Sequence, residues 1–212
     1  DVIFFIVNRK YSGYSMPAAK VDIVTPAPPG SRAGNRKTAI RWAQFLRDFG
    51  CRVSVLTQWV GEPCDLLVAL HASKSHDALR AFRESHPDRP AVLALTGTDI
   101  YRDIRQDRDA AASLEMATRL IVLQKEALEE LTPKQRRKAR VIHQSVTSSL
   151  VPVPPVRKFR LCVLGHLREE KDPFCAARAL RWVPDSHVEI IQAGRALSAK
   201  MTHEAERRMR DD

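Results

Sequence analysis

The chain has 212 residues, a formal net charge of +10 and an apolar content of 44%. That length supports one good core, or one domain with part of another, and the composition is that of an ordinary globular protein. The charge alone fits nucleic acid, a phosphorylated metabolite or simple solubility. Because the basic residues are scattered and only three tyrosines are present, we predict no nucleic-acid partner.

The cysteines and histidines predict no metal site. The four cysteines, at positions 51, 64, 162 and 175, form no C-x-x-C pair, and the seven histidines show no H-E-x-x-H spacing. Nothing indicates a disulfide framework, which favours a reducing, cytoplasmic location. Cys64 and Cys162 fall in strand-like apolar runs, so both are expected to be small buried residues.

The N-terminal residues 1–19 are expected to be a non-native or disordered leader. Their apolar run, from Val2 to Val7, is too short to span a bilayer and is not followed by a cleavage-type site. We therefore predict no membrane insertion. At the other end, a single polar helix follows the last strand, so we expect a truncated protein.

Strand and helix patterns alternate along the rest of the chain. Strand-like runs lie at 20–25, 52–57, 65–70, 91–96, 119–123, 140–143, 159–164 and 187–192. Helical patterns lie at 35–49, 75–85, 109–117, 125–131, 133–138, 171–182 and 198–210. Short apolar strands between amphipathic helices predict an α/β fold with parallel sheets. The connection between the second and third strands is shorter than a parallel pair normally needs.

The turn after the first strand carries hydrogen-bond donors and cations directly before a helix. Its candidate anion-binding residues are Gly30, Ser31, Arg32, Gly34, Asn35 and Arg36. A helix N-terminus preceded by such a turn binds anions through backbone N–H groups and the helix dipole. The spacing matches neither G-x-G-x-x-G nor a P-loop. The alternative is an ordinary surface turn, because Gly, Ser and Asn favour turns for local reasons.

A second turn of this kind follows a proline-rich segment. Residues 151–158 read as a linker between a domain at 20–150 and a domain at 159–212. After the strand at 159–164 come Gly165 and His166, then Arg168 and Lys171 at the predicted start of a helix. A pyrophosphate here would meet a helix dipole and two cations. The alternative is that these cations form surface ion pairs with Glu169 and Glu170.

The segments TPAPPGSRAGNRKTAIRWA, LLVALHA, LTGTDIYRDI and LGHLREEKDPF, in this order, carry a family resemblance. They resemble the family 4-type glycosyltransferases of GT-B architecture, and within these the selenosugar synthase subgroup of the selenoneine pathway. The resemblance covers residues 20 to about 195. It implies two Rossmann-like domains, an N-terminal acceptor domain and a C-terminal donor-binding domain. Here the second domain would be incomplete, because the acidic donor motif of such enzymes would lie beyond residue 212.

The resemblance also implies an activity and assigns roles to residues. The enzyme would move N-acetylglucosamine from its UDP donor to selenophosphate, without a metal or another cofactor. Gly165 and His166 would bind the donor, and Arg168 and Lys171 would act as catalytic residues by neutralising the leaving diphosphate. The turn at Gly30–Arg36 would hold the acceptor. Further acceptor residues would be Thr98, Asp99 and Arg102, and His71, which ends a strand, is a possible site residue.

Two other interpretations stay open at the sequence level. A nucleotide-sugar epimerase of the same architecture would use carboxylates and a histidine in its site, for which Asp99 and His71 are available. The second interpretation is a fragment that binds an anion or nucleotide without catalysing a reaction. Fold class alone does not separate them, and the sequence leaves the oligomeric state open.

Overall fold

The computed structural model describes residues 18–145, 158–183 and 187–211. The chain divides into two compact units, one containing residues 18–145 and the other containing the described residues from 158 onward. Residues 1–17 of the predicted leader and residues 151–157 of the predicted linker lie outside the described part of the chain. Ala19 is described, and it packs against the core of the first unit.

Six parallel strands form the sheet of the first unit, in the order β2-β1-β3-β4-β5-β6. They are β1 (Lys20–Val24), β2 (Arg52–Leu56), β3 (Leu66–Leu70), β4 (Ala91–Leu95), β5 (Arg119–Val122) and β6 (Ala139–Val141). Every residue of β3 and of β4 is buried, as expected for central strands of a parallel sheet. The predicted α/β fold with a parallel sheet is confirmed.

The short connection between β2 and β3 crosses over β1. β1 lies between these two strands, so that Ile23 is paired with Val55 on one side and with Val68 on the other. Because all three strands are parallel, the connection at 57–65 returns from the carboxyl end of β2 to the amino end of β3. It contains no helix, and an extended chain of this length, at about 3.3 Å per residue, is long enough for the return.

Five α-helices lie in the first unit. They are α1 (Gly34–Asp48), α2 (His76–Ser85), α3 (Ile104–Gln106), α4 (Arg108–Met116) and α5 (Pro133–Arg137). The helix predicted at 125–131 is instead a 3-10 helix, Lys125–Glu130. It stops there because Thr132 is extended and caps α5, where its side chain and that of Gln135 form a reciprocal capping box. Within the described ranges, no helix is long and apolar enough to cross a bilayer.

The sheet of the first unit is covered on both faces, as the alternation along β1 shows. Val21 and Ile23 lie in one apolar cluster with Ala39 and Ala43 of α1. Val24 lies in the other cluster, which contains buried side chains of α2 and α4. α1 and α2 therefore cover opposite faces, the arrangement of a doubly wound α/β domain.

The second unit contains a separate two-stranded parallel sheet. β7 (Phe159–Leu164) pairs with β8 (Val188–Ala193), for example through Leu161 and Ile190. The unit also holds α6 (Cys175–Ala179) and α7 (Ala199–Asp211). Leu167 and Met201 are its buried apolar side chains among the described residues.

Two predictions for the second unit are wrong. The helix predicted at 171–182 is broken into a 3-10 turn at Glu169–Lys171, the short α6 and a second 3-10 turn at Leu180–Trp182. The break follows from Pro173, which disfavours helical geometry in the preceding residue, and Asp172 is left-handed with a φ of 40°. Cys162, predicted to be buried, is exposed, because the described part of this two-stranded sheet leaves β7 accessible.

Asp22 is one of the buried acidic side chains of the first unit. Asp22 of β1 is 1% exposed, and its carboxylate lacks a partner of ordinary hydrogen-bond geometry. The buried thiol of Cys64 lies beside it; burial, then the charge of Asp22 and a weak hydrogen bond to it, raise the pKa of Cys64 to about 12. A weak thiol donor offsets little of the cost of burying a charge, so Asp22 weakens the fold in the strand next to the edge of the sheet.

Asp22→Asn is expected to raise the free energy of unfolding by about 1–3 kcal/mol, because it removes the charge and keeps the shape. Urea denaturation at neutral pH measures this change. The control is Asp88→Asn, an exposed acid of the same unit, which should change stability by less than about 0.5 kcal/mol. A less stable Asp22→Asn protein would contradict the assignment and indicate that the carboxylate has a stabilising partner.

Candidate functional site

The strand order places a crevice in the first unit at the carboxyl ends of β1 and β3. The chain leaves β1 through α1 toward β2, and it leaves β3 through α2 toward β4 on the other side. Neighbouring strands whose connections run in opposite directions mark the switch point at which open α/β sheets bind ligands. The loops at 25–33 and 71–75 flank this point.

The loop after β1 has a structure that depends on its glycine. Gly30 has a φ of +79°, a left-handed geometry that favours glycine. The Ser31 hydroxyl oxygen accepts a hydrogen bond from the backbone N–H of Ala33, so this hydroxyl shapes the turn. The neighbouring Arg32 is exposed. Gly30 and Ser31 therefore have clear local roles in building the turn.

The N-terminus of α1 lacks the usual compensation. Its N-cap residue, Ala33, makes no side-chain cap, and no acidic residue lies in the first turn. Gly34 and Asn35 are the first two residues of this 15-residue helix. An uncapped helix start leaves backbone N–H groups and the positive end of the dipole available. This helix end therefore suits an anion.

Arg36, in the first turn of α1, gives the second indication of a ligand. Its Nε and Nη1 atoms are fully buried and have no hydrogen-bond partner. The hydroxyl of Thr25, directly after β1, is likewise buried without a partner. Buried donors are rarely left unsatisfied in proteins. Two such groups flanking one loop favour an anionic or oxygen-rich ligand at this point.

The loop after β3 begins with His71, whose backbone is in the left-handed region with a φ of 80°. Such a conformation is costly for a residue other than glycine and is concentrated at functional sites. The side chain is buried, and burial lowers the pKa of the imidazole below its ordinary value. Its Nε2 lies 3.8 Å from Oδ2 of Asp103. His71 is therefore a neutral imidazole at neutral pH.

The loop after β4 holds the other predicted acceptor residues. Asp99 is fully buried, and its carboxylate accepts hydrogen bonds from the backbone N–H groups of Ala72, Thr96 and Gly97. This carboxylate thus ties the loop after β3 to the loop after β4. Thr98 immediately precedes the π-helix Asp99–Asp103. Asp99 has a structural task that the sequence did not indicate.

The charge of Arg102 is directed to a neighbouring acid. Its Nε donates to Oδ1 of Asp103 at 2.8 Å. Arg102 therefore acts, in this structure, on the carboxylate that faces His71. The sequence analysis missed Asp103 and Thr25. The signals for them were an acid four residues after Asp99 and a hydroxyl directly after a buried strand.

In the second unit, Gly165 and Lys171 lie close together. A Cβ atom added to Gly165 would lie 3.7 Å from Nζ of Lys171, so the ammonium lies over this glycine. The loop also contacts the one after β8: Nδ1 of His166 accepts from the backbone N–H of Arg195 at 3.1 Å. A Cβ atom on Gly194 would lie 1.9 Å from the Gly165 carbonyl oxygen. This close approach requires a glycine at 194.

The alternative interpretation, in which Arg168 and Lys171 pair with Glu169 and Glu170, is tested only at Glu169, because the side chain of Glu170 lies outside the described ones. Glu169 pairs instead with Lys200, and no ion pair to either Arg168 or Lys171 occurs among the described side chains. Both cations are exposed. The prediction of a helix dipole at this point is wrong, because the chain forms only the 3-10 turn Glu169–Lys171 here. Any anion at this loop would be held by side-chain charge.

A cavity of about 720 Å³ in the second unit lies elsewhere. It is formed by the segment at 169–178 and by α7, and it does not include Arg168 or Lys171. Much of its charge is already paired, as between Asp172 and Arg178 and between Glu204 and Arg207. Within the described ranges, no group of three or more His, Cys, Asp or Glu side chains could hold a metal ion.

Arg36→Met is expected to have opposite effects on stability and on anion affinity. Without a ligand the variant should be more stable by about 1–3 kcal/mol, because it no longer buries unpaired N–H groups. It should also lose most of the thermal stabilisation that inorganic phosphate gives the unchanged protein. Thermal unfolding with increasing phosphate measures both effects.

The control for this experiment is Lys37→Met, which removes the adjacent exposed cation. It should leave stability within about 0.5 kcal/mol and keep the response to phosphate. If Arg36→Met lowered stability and retained the phosphate response, Arg36 would be a structural residue and the anion site would be disproved.

No protein-family model matches the sequence, and no curated protein matches it. Among solved structures, the chain is similar to Anabaena Alr3699/HepE, determined in complex with UDP and glucose, with a TM-score of 0.57 and 14% sequence identity. The alignment covers 91% of this chain and 66% of that chain. At this identity the likeness shows the fold, and the chain spans just under two thirds of its neighbour.

Proposed function

We propose that the chain is a glycosyltransferase that moves a sugar from a UDP-sugar to a small anionic acceptor. The observation that carries the proposal is the loop after β7, in which the ammonium of Lys171 lies beside Gly165 and Arg168 is a second exposed cation. The fold neighbour was solved with UDP and glucose, which are the two parts of a UDP-sugar. Fold and cation pair together favour a nucleotide-sugar donor.

The sugar and the acceptor follow from the family resemblance of the sequence. The donor would be UDP-N-acetylglucosamine and the acceptor selenophosphate. In the reaction a C1–Se bond forms while the C1–O bond to the diphosphate breaks, and UDP leaves with the electron pair of that bond. The selenium then still carries the phosphate, and water has to cleave the Se–P bond to release phosphate and the selenosugar. The chemistry needs positive charge at the departing diphosphate and an anion site for the acceptor.

The second unit would supply the charge for the leaving group. Negative charge develops on the diphosphate as the C1–O bond breaks. The ammonium of Lys171 lies over Gly165, where the absence of a side chain allows a phosphate to approach the backbone. The guanidinium of Arg168 can bind two phosphate oxygens at once. These two side chains would do the work of a divalent metal, so we propose that transfer needs none.

The first unit would hold the acceptor. The buried unpaired nitrogens of Arg36 and the buried hydroxyl of Thr25 are donors that lack acceptors, and the start of α1 has no acidic compensation. A small tetrahedral anion with several oxygens satisfies such groups better than a neutral sugar hydroxyl does. This preference for an anion is the structural support for selenophosphate.

The structure gives less support to a nucleotide-sugar epimerase. That activity would use Asp99 as an acid or base, but the Asp99 carboxylate accepts three backbone hydrogen bonds and is fully buried. A buried carboxylate whose oxygens accept backbone hydrogen bonds is not positioned to contact a substrate. Binding without turnover would use the same cations, and it is distinguished by following product formation.

Arg168→Ala and Lys171→Ala are each expected to lower kcat by about 10²–10³-fold, the loss of about 2.7–4 kcal/mol that follows removal of one preorganised charge. The assay follows UDP release and the mass of the sugar product. Lys200→Ala is the matched control, because Lys200 is an exposed cation of the same unit that already pairs with Glu169. Unchanged turnover in both variants would indicate that Arg168 and Lys171 are ordinary surface residues without a role in catalysis.

The acceptor and the metal requirement can be tested with the same assay. With UDP-N-acetylglucosamine as donor, we expect a selenosugar from selenophosphate and little product from neutral sugars. EDTA should leave the rate unchanged, because side-chain cations compensate the diphosphate charge. A preference for neutral acceptors would disprove the acceptor assignment. Activity lost with EDTA and restored by Mg²⁺ would disprove metal independence.

A further inference from the structure

The first unit holds a histidine–aspartate pair that the proposed function leaves unused. His71 follows β3, and Asp103 ends the π-helix that follows β4. The Asp103 side chain is only 15% exposed. A π-helical turn is rare and often occurs at functional sites. Here the π-helix brings Asp103, in the loop after β4, close to the strained and buried His71 in the loop after β3.

The hydrogen bonds of His71 determine where its proton lies. Nδ1 accepts from the backbone N–H of Lys74 at 3.4 Å, so this nitrogen carries the lone pair. In a neutral imidazole the proton must then be on Nε2. Nε2 lies 3.8 Å from the Asp103 carboxylate, a distance at which charge acts but a hydrogen bond does not form. No hydrogen bond to Nε2 is formed among the described residues.

The charges around the imidazole come from two loops. Asp99 and Asp103 favour the protonated ring, while Lys74 and Arg102 disfavour it, and burial outweighs each of them. Arg102 also donates to the outer oxygen of Asp103, which fixes this carboxylate with its other oxygen toward His71. The ring is therefore neutral at neutral pH, and its only polar hydrogen is on Nε2.

We propose that Asp103 is a positioning residue that holds His71 as an Nε2–H donor for an anionic oxygen of a ligand at the switch point. The Lys74 N–H places the proton on Nε2, and the negative charge of Asp103 beside Nε2 favours this tautomer. The left-handed backbone of His71 places the ring at the end of β3. His71 then donates a hydrogen bond and does not act as a general base, because its one lone pair is used by Lys74. The inference rests on the proposed function in one respect, namely that the ligand is an anion.

Nitrogen-15 NMR of the imidazoles of the whole chain tests the tautomer without any reaction. We expect a single Nε2–H tautomer for His71 at neutral pH, with a pKa below the ordinary histidine value. In Asp103→Asn the pKa should fall further, because a charge that favours the imidazolium is lost. The preference for Nε2–H should also weaken, because the amide can donate to Nε2.

His76 provides an internal control in the same spectra. Its Nε2 lies 3.8 Å from Oδ1 of Asp109, the same separation as in the His71–Asp103 pair. Asp109→Asn should therefore leave the His71 signals unchanged while it alters those of His76. This comparison distinguishes a local effect of Asp103 from a general effect of lost acidic charge.

Titration with inorganic phosphate tests the donor. Phosphate should shift the Nε2–H signal, and His71→Leu should bind phosphate about tenfold or more weakly, the loss expected for one hydrogen bond to a charged group. His71→Gln, which keeps an N–H donor at a similar distance, should bind more tightly than His71→Leu.

Three results would overturn the inference: an Nδ1–H tautomer, an unchanged His71 pKa in Asp103→Asn, or equal phosphate affinity in His71→Leu and the unchanged protein. Failure of the proposed function would look different. In that case no sugar transfer would be seen, while the tautomer and its dependence on Asp103 would remain as expected.

Discussion

The carboxyl end of the first sheet depends on a single carboxylate, that of Asp99. Three backbone N–H groups donate to it, from Ala72 after β3 and from Thr96 and Gly97 after β4. Hydrogen bonds to a charged group are among the strongest in proteins, and here they join the loop after β3 to the loop after β4. The conformation of His71 and the start of the π-helix both lie within one residue of these bonds. The crevice keeps its shape because these loops cannot separate.

A second acid continues this arrangement at the same edge. Asp107 caps α4 by accepting from the backbone N–H groups of Asp109 and Ala110. A hydrogen bond from the hydroxyl of Ser73, in the loop after β3, is the main reason that the pKa of the Asp107 carboxyl lies below its ordinary value. The loop after β3 is thus held by two carboxylates, at the consecutive residues Ala72 and Ser73. A strained residue such as His71 persists only where its surroundings are fixed in this way.

The order of elements in the first unit could be predicted because each strand is a short apolar run and each long helix has a periodic apolar face. The turn before α1, with Gly30 and Arg36, was also predicted from the sequence, and its role in binding an anion stays a prediction. The role of Asp99 could not be found, because a carboxylate that accepts backbone hydrogen bonds depends on the adjacency of two strands. Asp99 and Ala72 are 27 residues apart in the chain, and no sequence pattern indicates that they form a hydrogen bond.

The errors in the second unit have a local cause. The periodicity at 171–182 suits a helix, but one proline and the residue before it outweigh that pattern. Asp172 takes a left-handed conformation instead, and its carboxylate pairs with Arg178. Cys162 was assigned to the interior on composition. Burial depends on what covers a strand, and the residues of β7 do not contain that information.

The two units would therefore hold anions by different physics. In the first, buried nitrogens of Arg36 lie at the start of a long helix, where low exposure strengthens each interaction and water cannot easily replace a ligand. In the second, Arg168 and Lys171 are exposed and lack a helix dipole, so their attraction for an anion is screened by salt. In the proposed reaction the acceptor has to be held in one orientation, which suits the buried donors of the first unit. The leaving diphosphate gains charge as it departs, which suits cations that bind it more strongly in the transition state than in the ground state.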